Sequence, residues 1–158
     1  MTIRSLKMTS RTKSSETRVE QPVKGEGPHQ VIISVGSNIE PHKNILLSQD
    51  VLNHETQLLA IADVIETTPV GYTHQPDFLN TAYLVETELE HDEFNAFLIT
   101  VEDRLGRKRG PIKSGPRTID LDIVIWDGQV MSSDYFNYAY VSTPVDQILT
   151  GHRISVHR

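Results

Sequence analysis

Leu79-Asn80-Thr81-Ala82-Tyr83-Leu84-Val85-Glu86-Thr87-Glu88-Leu89 runs, one residue later, into His91-Asp92-Glu93-Phe94-Asn95-Ala96-Phe97-Leu98-Ile99-Thr100-Val101-Glu102-Asp103-Arg104-Leu105-Gly106. In the first half, Ala82, Leu84 and Glu86 alternate against Tyr83, Val85 and Thr87, the period of two that marks a strand. In the second half, Phe94, Phe97, Leu98, Val101 and Leu105 fall on one face of a helix, which Gly106 ends. Working outward, residues 119–126 read as the strand that follows, and Gly128 turns into a short strand at 129–131. Upstream, Val31-Ile32-Ile33-Ser34-Val35 is a β-branched strand ending in the turn Gly36-Ser37-Asn38. Pro41 suits a helix start, and Ile45, Leu46 and Leu52 predict a helix over 41–54. Residues 58–67 read as a second strand, followed by a loop holding Pro69, Gly71 and Pro76. The order β-α-β-β-α-β predicts an α+β, ferredoxin-like sandwich with helices covering one face of an antiparallel sheet.

The 158 residues suit one domain. Residues 1–28 are polar and lack apolar periodicity, which predicts a disordered extension; 29–149 form the domain and 150–158 a tail. Beyond 132 the pattern fades, with Tyr135, Phe136, Tyr138 and Tyr140 irregularly set. The absence of cysteine excludes disulfides and thiolate chemistry and makes a reducing cytoplasm the expected compartment. The N-terminus has no apolar core of a secretory signal, and no run of 18 apolar residues predicts a membrane span. A net charge of −6 disfavours nucleic-acid binding. Yet Arg104, Arg107, Lys108, Arg109, Lys113 and Arg117 cluster, as suits a small polyanion.

Within Ile119-Asp120-Leu121-Asp122-Ile123, alternation sends Ile119, Leu121, Ile123 and Ile125 toward the core and both aspartates the other way, about 6.6–6.8 Å apart along the strand. Paired hard carboxylates without histidine or cysteine favour Mg²⁺, which commonly also holds phosphate oxygens. Two solvated aspartates are the plainer alternative. Immediately before them, Ser114-Gly115-Pro116-Arg117-Thr118 offers a close backbone approach at Gly115 and a planar guanidinium fork at Arg117. Metal ligands beside Arg107, Arg109 and Arg117 suit phosphoryl-type transfer; a solvated basic loop is the alternative. A second constellation joins Thr67-Thr68-Pro69-Val70-Gly71 to Gln75-Pro76-Asp77-Phe78-Leu79-Asn80. Phe78 could stack on a flat heterocycle and Asn80 could read its edge, or they could serve as core and turn cap. The seven histidines lack metal-site spacing, and no P-loop or G-x-S-x-G occurs.

Together these segments resemble the 6-hydroxymethyl-7,8-dihydropterin pyrophosphokinase family. The resemblance rests on Val35-Gly36-Ser37-Asn38, on 67–80, on Glu102 through Arg109, and on Gly115 through Ile123, and it covers about 30–131. It implies a ferredoxin-like fold, ATP, two Mg²⁺ ions, and transfer of the β,γ-diphosphate to the pterin hydroxymethyl group with release of AMP. It also implies that Asp120 and Asp122 hold the metals, that Arg107, Arg109 and Arg117 bind the triphosphate, and that Glu102 positions the basic loop and nucleotide. Thr67, Thr68 and Val70 would contact the pterin, Phe78 would stack on it, and Asn80 would read its edge. The expected partners are pterin and ATP, with no nucleic acid or membrane, and a monomer is expected. Two departures stand out. Ser114 occupies the position where the family usually carries Trp, and the expected Pro-His and Arg-x-Phe segments are not matched downstream, Tyr140 falling where the His would stand. These predict a C-terminally shortened member, with a catalytically weak or inactive pterin- or nucleotide-binding paralogue, or the same chemistry on a related pterin, as alternatives.

Overall fold

A computed structural model describes residues 28–111 and 114–157; the polar extension read at 1–28, apart from Pro28, and Lys113 lie outside the described residues. The elements are β1 (His29–Ser37), α1 (Pro41–Glu55), β2 (Gln57–Ile61), β3 (Ile65–Thr67), β4 (Phe78–Thr87), α2 (His91–Arg104), β5 (Asp120–Trp126), β6 (Gln129–Val130), α3 (Asp134–Asn137) and α4 (Ala139–Gly151). The sheet runs β2-β4-β1-β5-β6, and every ladder is antiparallel. The expected second strand is interrupted: β2 pairs with the far part of β4 and β3 with its beginning, so the two share one edge. The ferredoxin-like α+β arrangement follows directly from the two strand–helix–strand halves.

The strands alternate as their sequence requires, and each face has its own core. Val31, Ile33 and Val35 of β1 pack with Tyr83 and Val85 of β4 and with Leu121 and Ile123 of β5 beneath α1 and α2. The α2 stripe of Phe94, Leu98 and Val101 is wholly buried there. Each such side chain contributes about 1.5–3 kcal/mol through burial. Pro41 opens α1 at its first turn, and the Glu93 side chain accepts from the Glu90 amide to seat the start of α2.

The opposite face corrects the expectation of one-sided cover. Ile32, Ala82, Leu84, Val124 and Ile125 pack under Val141, Val145, Ile148 and Leu149 of α4, a helix absent from the sequence reading. Ile125 therefore faces away from Ile123. The β1–β5 register shifts between Ile32 and Ile33, and this bulge at Val124 reverses the alternation. The expected tail also differs: Ile154 and Val156 pack against the second core, and His157 bridges to Gln129.

At the start of β1, His29 is 1% exposed, tilted against Trp126 with ring centroids 4.8 Å apart, and bonded at both ring nitrogens, Nδ1 to Asp127 at 2.6 Å and Nε2 to Glu90 at 2.8 Å. Among the described residues, no helix is long and apolar enough to cross a membrane.

Candidate active site

Cover by α4 is incomplete, and the uncovered end of that face is the site. Across the β1–β5 ladder, Gly36 stands opposite Asp120 and Ser34 opposite Asp122. Two small residues facing two carboxylates leave a hollow where large side chains would have filled the layer. The hollow is a cavity of about 960 Å³. Its floor is Ser34, Gly36, Asp120 and Asp122; one wall carries Thr67, Thr68, Val70, Phe78 and Asn80; another carries Arg107, Arg109 and Arg117. Sequence-separated candidates are thus gathered into one space. Glu102 is not on its surface. It is 3% exposed and lies beneath the basic loop.

The charges are arranged in layers. Glu102 pairs with Arg107 at 2.9 Å and with Arg109, and accepts from the Leu121 amide at 2.7 Å. Burial pushes its carboxyl above the usual range, against the pull of that amide and of the arginines. Above it, Asp120 receives Arg107 Nη1 at 2.9 Å and Arg117 Nη1 at 3.2 Å, one on each oxygen. Asp122 is bonded to no described side chain. Its side chain opens on the cavity, and its carboxyl is raised, first by desolvation between the cavity walls and then by the Asp120 and Glu102 charges, with Arg107 and Arg117 pulling the other way. Asp122 is therefore the floor carboxylate with no ion-pair partner among the described residues. Arg109 is held further out, by Glu102 and by Asp103 at 2.7 Å.

This donor set fits Mg²⁺. It is made of oxygen alone, it presents two carboxylates, and the unpaired Asp122 carboxylate is what a divalent cation would engage. Among the described residues no group of three or more His, Cys, Asp or Glu forms a protein-only cage. Magnesium held by one or two carboxylates and a phosphate needs none.

The opposite wall is shaped for a flat molecule. Phe78 lies with its ring centroid 6.0 Å from the Arg117 guanidinium carbon, and Asn80 donates to Thr67 Oγ1. A Cβ on Gly36 would come within 2.9 Å of Asn80 Oδ1, so glycine there preserves the place of the Asn80 amide. Facing this wall, from the start of α4, stand Tyr138 and Tyr140, stacked with centroids 5.1 Å apart. Sequence reasoning missed both, because the position of α4 decides where they point. Also missed was a network under the floor. Asn38 Nδ2 donates to Gln75 Oε1 and Pro76 O, and Asn38 Oδ1 accepts from the Arg117 amide. The only signal was the Gly36-Ser37-Asn38 turn.

A family model described as 7,8-dihydro-6-hydroxymethylpterin-pyrophosphokinase (HPPK) matches residues 32–150. The chain belongs to the HPPK family. That match takes in every cavity residue named above, and it extends past 131 through α4. The 2-amino-4-hydroxy-6-hydroxymethyldihydropteridine pyrophosphokinase of Bacillus subtilis is 33% identical over 105 residues, 65% of this chain and 62% of that protein. The HPPK relative of the same name from Pseudomonas aeruginosa is 32% identical over 105 residues, 65% and 64% of the two chains. The mitochondrial folate synthesis bifunctional protein of Arabidopsis thaliana is 38% identical over 108 residues, 67% of this chain and 19% of its own length. The chain thus spans less than two thirds of the length of these curated relatives.

Proposed function

We propose that this HPPK-family chain transfers the β,γ-diphosphate of ATP to the hydroxymethyl group of 6-hydroxymethyl-7,8-dihydropterin, releasing AMP. The observation that carries the reading is the meeting, in one cavity, of Asp120, Asp122, Arg107 and Arg117 with Thr67, Thr68, Val70, Phe78 and Asn80. The names of the relatives support the same reaction.

Asp120 and Asp122 would hold Mg²⁺, two ions in this reading, and the bound metal would supply charge neutralisation on the triphosphate. Arg107 and Arg117 bind phosphate oxygens while their contacts to Asp120 fix their planes, and Arg109 assists from the rim. Glu102 acts one step removed, seating Arg107 and Arg109. Phe78 stacks on the pterin, Asn80 reads its edge with an amide oriented by Thr67, and Thr68 and Val70 line its side. Tyr138 and Tyr140 close the cavity from α4. The pterin hydroxyl oxygen attacks the β-phosphorus, a new P–O bond forms, and the bond from the β-phosphorus to the α,β-bridging oxygen breaks. That oxygen leaves with AMP, and the hydroxyl proton passes to solvent. Positioning and charge stabilisation supply the catalysis. All contributing residues come from one chain, and the reading takes the working unit to be a cytoplasmic monomer that requires no nucleic acid.

The test is AMP formation from ATP, Mg²⁺ and 6-hydroxymethyl-7,8-dihydropterin, measured with and without the pterin. Pterin-dependent AMP is expected. Binding of both substrates with AMP at background contradicts the reading and favours a binding paralogue.

A further inference from the structure

The cavity has two sides that meet at Arg117. One side runs to Phe78, whose ring centroid lies 6.0 Å from the Arg117 guanidinium carbon, and on to Asn80. The other runs to the corner between α3 and α4, where Asp134, Tyr138 and Tyr140 line it. The backbone of this corner is tied on both sides of Asp134. Its amide donates to Ser132 Oγ at 3.2 Å, and its carbonyl accepts from the Tyr138 amide at 3.0 Å. The Asp134 carboxylate, on a half-buried residue, bonds no described side chain. Tyr138 and Tyr140 stack beside it with their planes 28° apart. Burial, then Asp134 and Tyr138, raise the Tyr140 hydroxyl above its ordinary pKa; Arg117 lowers it and Asp120 adds to the rise. That hydroxyl therefore stands within electrostatic reach of Asp134 and of the Arg117–Asp120 pair.

We infer that Asp134 is a specificity-determining residue whose carboxylate accepts hydrogen bonds from the ribose hydroxyls of the nucleoside triphosphate, so that the site selects ribonucleotides over deoxyribonucleotides. The inference rests on the proposed function for the identity of the donor. In-line displacement puts the attacking hydroxyl and the leaving group on opposite sides of the β-phosphorus. The pterin takes the side of Phe78 and Asn80, so the nucleoside of the departing AMP takes the side of Asp134. A carboxylate there repels phosphate and can only accept, so what it meets is a neutral donor. It is not a further metal ligand, because among the described residues Asp134 joins no group of three with Asp120 and Asp122. The ribose hydroxyls are the nucleoside's donors nearest its phosphates. The two oxygens of one carboxylate suit a vicinal diol, as acidic residues do in dinucleotide sites. The stacked tyrosines supply a flat surface on which the sugar and base can lie.

The experiment is calorimetric titration of ATP, 2′-deoxy-ATP, 3′-deoxy-ATP and purine riboside triphosphate, each with Mg²⁺, into the full chain, for wild type and Asp134→Ala. Pterin is left out, so no diphosphate acceptor is present. In wild type at least one deoxy analogue is expected to bind about tenfold or more weakly than ATP, the loss of a hydrogen bond to a charged group. In Asp134→Ala that ratio should fall below about threefold, because ATP weakens and the deoxy analogue does not. Purine riboside triphosphate, which lacks the adenine amine, should match ATP. Inorganic triphosphate, which has no sugar, should bind the variant no worse than wild type, a readout that damage to the fold would move. Equal binding of ATP and both deoxy analogues by wild type overturns the inference even if Asp134→Ala does not fold. So does a ratio unchanged in Asp134→Ala, and so does weakened binding of purine riboside triphosphate alone, which would put Asp134 on the base. Failure of wild type to bind any nucleotide removes the proposed function and this inference with it. Ribose discrimination lost in Asp134→Ala, with AMP at background once pterin is added, removes the transfer reaction and leaves the role of Asp134 in place.

Discussion

The two ends of the β1–β5 pair both gather carboxylates, and they are completed in opposite ways. At one end, His29 is enclosed between Asp127 and Glu90. A neutral imidazole has one donor, and ionised carboxylates only accept, so both bonds together require the imidazolium. Burial alone would lower its pKa, but the hydrogen bonds and charges of Glu90 and Asp127 raise it above the ordinary histidine value. Both carboxylates find a partner inside the protein. At the other end, Asp120 is answered by Arg107 and Arg117, Glu102 by Arg107 and Arg109, and Asp122 by no described side chain. A cluster whose carboxylates are all paired ties elements together; one that leaves a carboxylate without a partner can accept a cation from outside.

The largest expected effect comes from the open end. Asp122→Asn should lower AMP formation at saturating substrates by at least about a thousandfold. Its melting temperature should stay within about 2 °C of wild type, because the Asp122 carboxylate bonds no described side chain. Severe destabilisation would make the open end a structural cluster and break the contrast.

The closed end should behave conversely. His29→Gln should cost about 1–3 kcal/mol of stability, read by urea unfolding at pH 6, with AMP formation near wild type. The pH dependence follows from the raised pKa. The contribution of His29 is complete below the ordinary histidine value and is lost as pH rises through the folded value. The stability gap between wild type and His29→Gln should therefore be widest near pH 6 and narrow above neutrality. A gap that widens with pH would contradict the closed-cluster account.

The smallest effect sharpens the boundary of the open end. Arg109 is held by Glu102 and Asp103 at the rim, with its side chain 43% exposed. Arg109→Ala should raise the KM for ATP by less than about tenfold with kcat little changed, whereas Arg107→Ala should lower kcat. Equal losses in both would place Arg109 on the reacting phosphates.

Much of this contrast was legible in the sequence. The strands and α2 announce themselves by period, and Asp120, Asp122 and Arg117 are close enough in sequence to be read as one unit. What stayed hidden depends on non-local placement. Val141, Val145, Ile148 and Leu149 carry a helical stripe, but Pro144 interrupts its donor pattern and disguised α4. The bulge at Val124 turned Ile125 over, as pairing register and not composition decides. Gln75 and Asn38 act through bonds across 37 to 79 residues, to which no periodicity points. His29 looked like an isolated histidine because its two partners lie 61 and 98 residues away.

The central claim is that Asp122 is left without a partner in the protein so that an external divalent cation can bind it. Electron paramagnetic resonance titration of Mn²⁺, standing in for Mg²⁺, tests it most directly, with α,β-methylene-ATP present and wild type compared with Asp122→Asn. Wild type should bind the ion, and the variant should lose at least about tenfold in affinity while keeping its fold. Equal Mn²⁺ affinity in the two proteins would contradict the account.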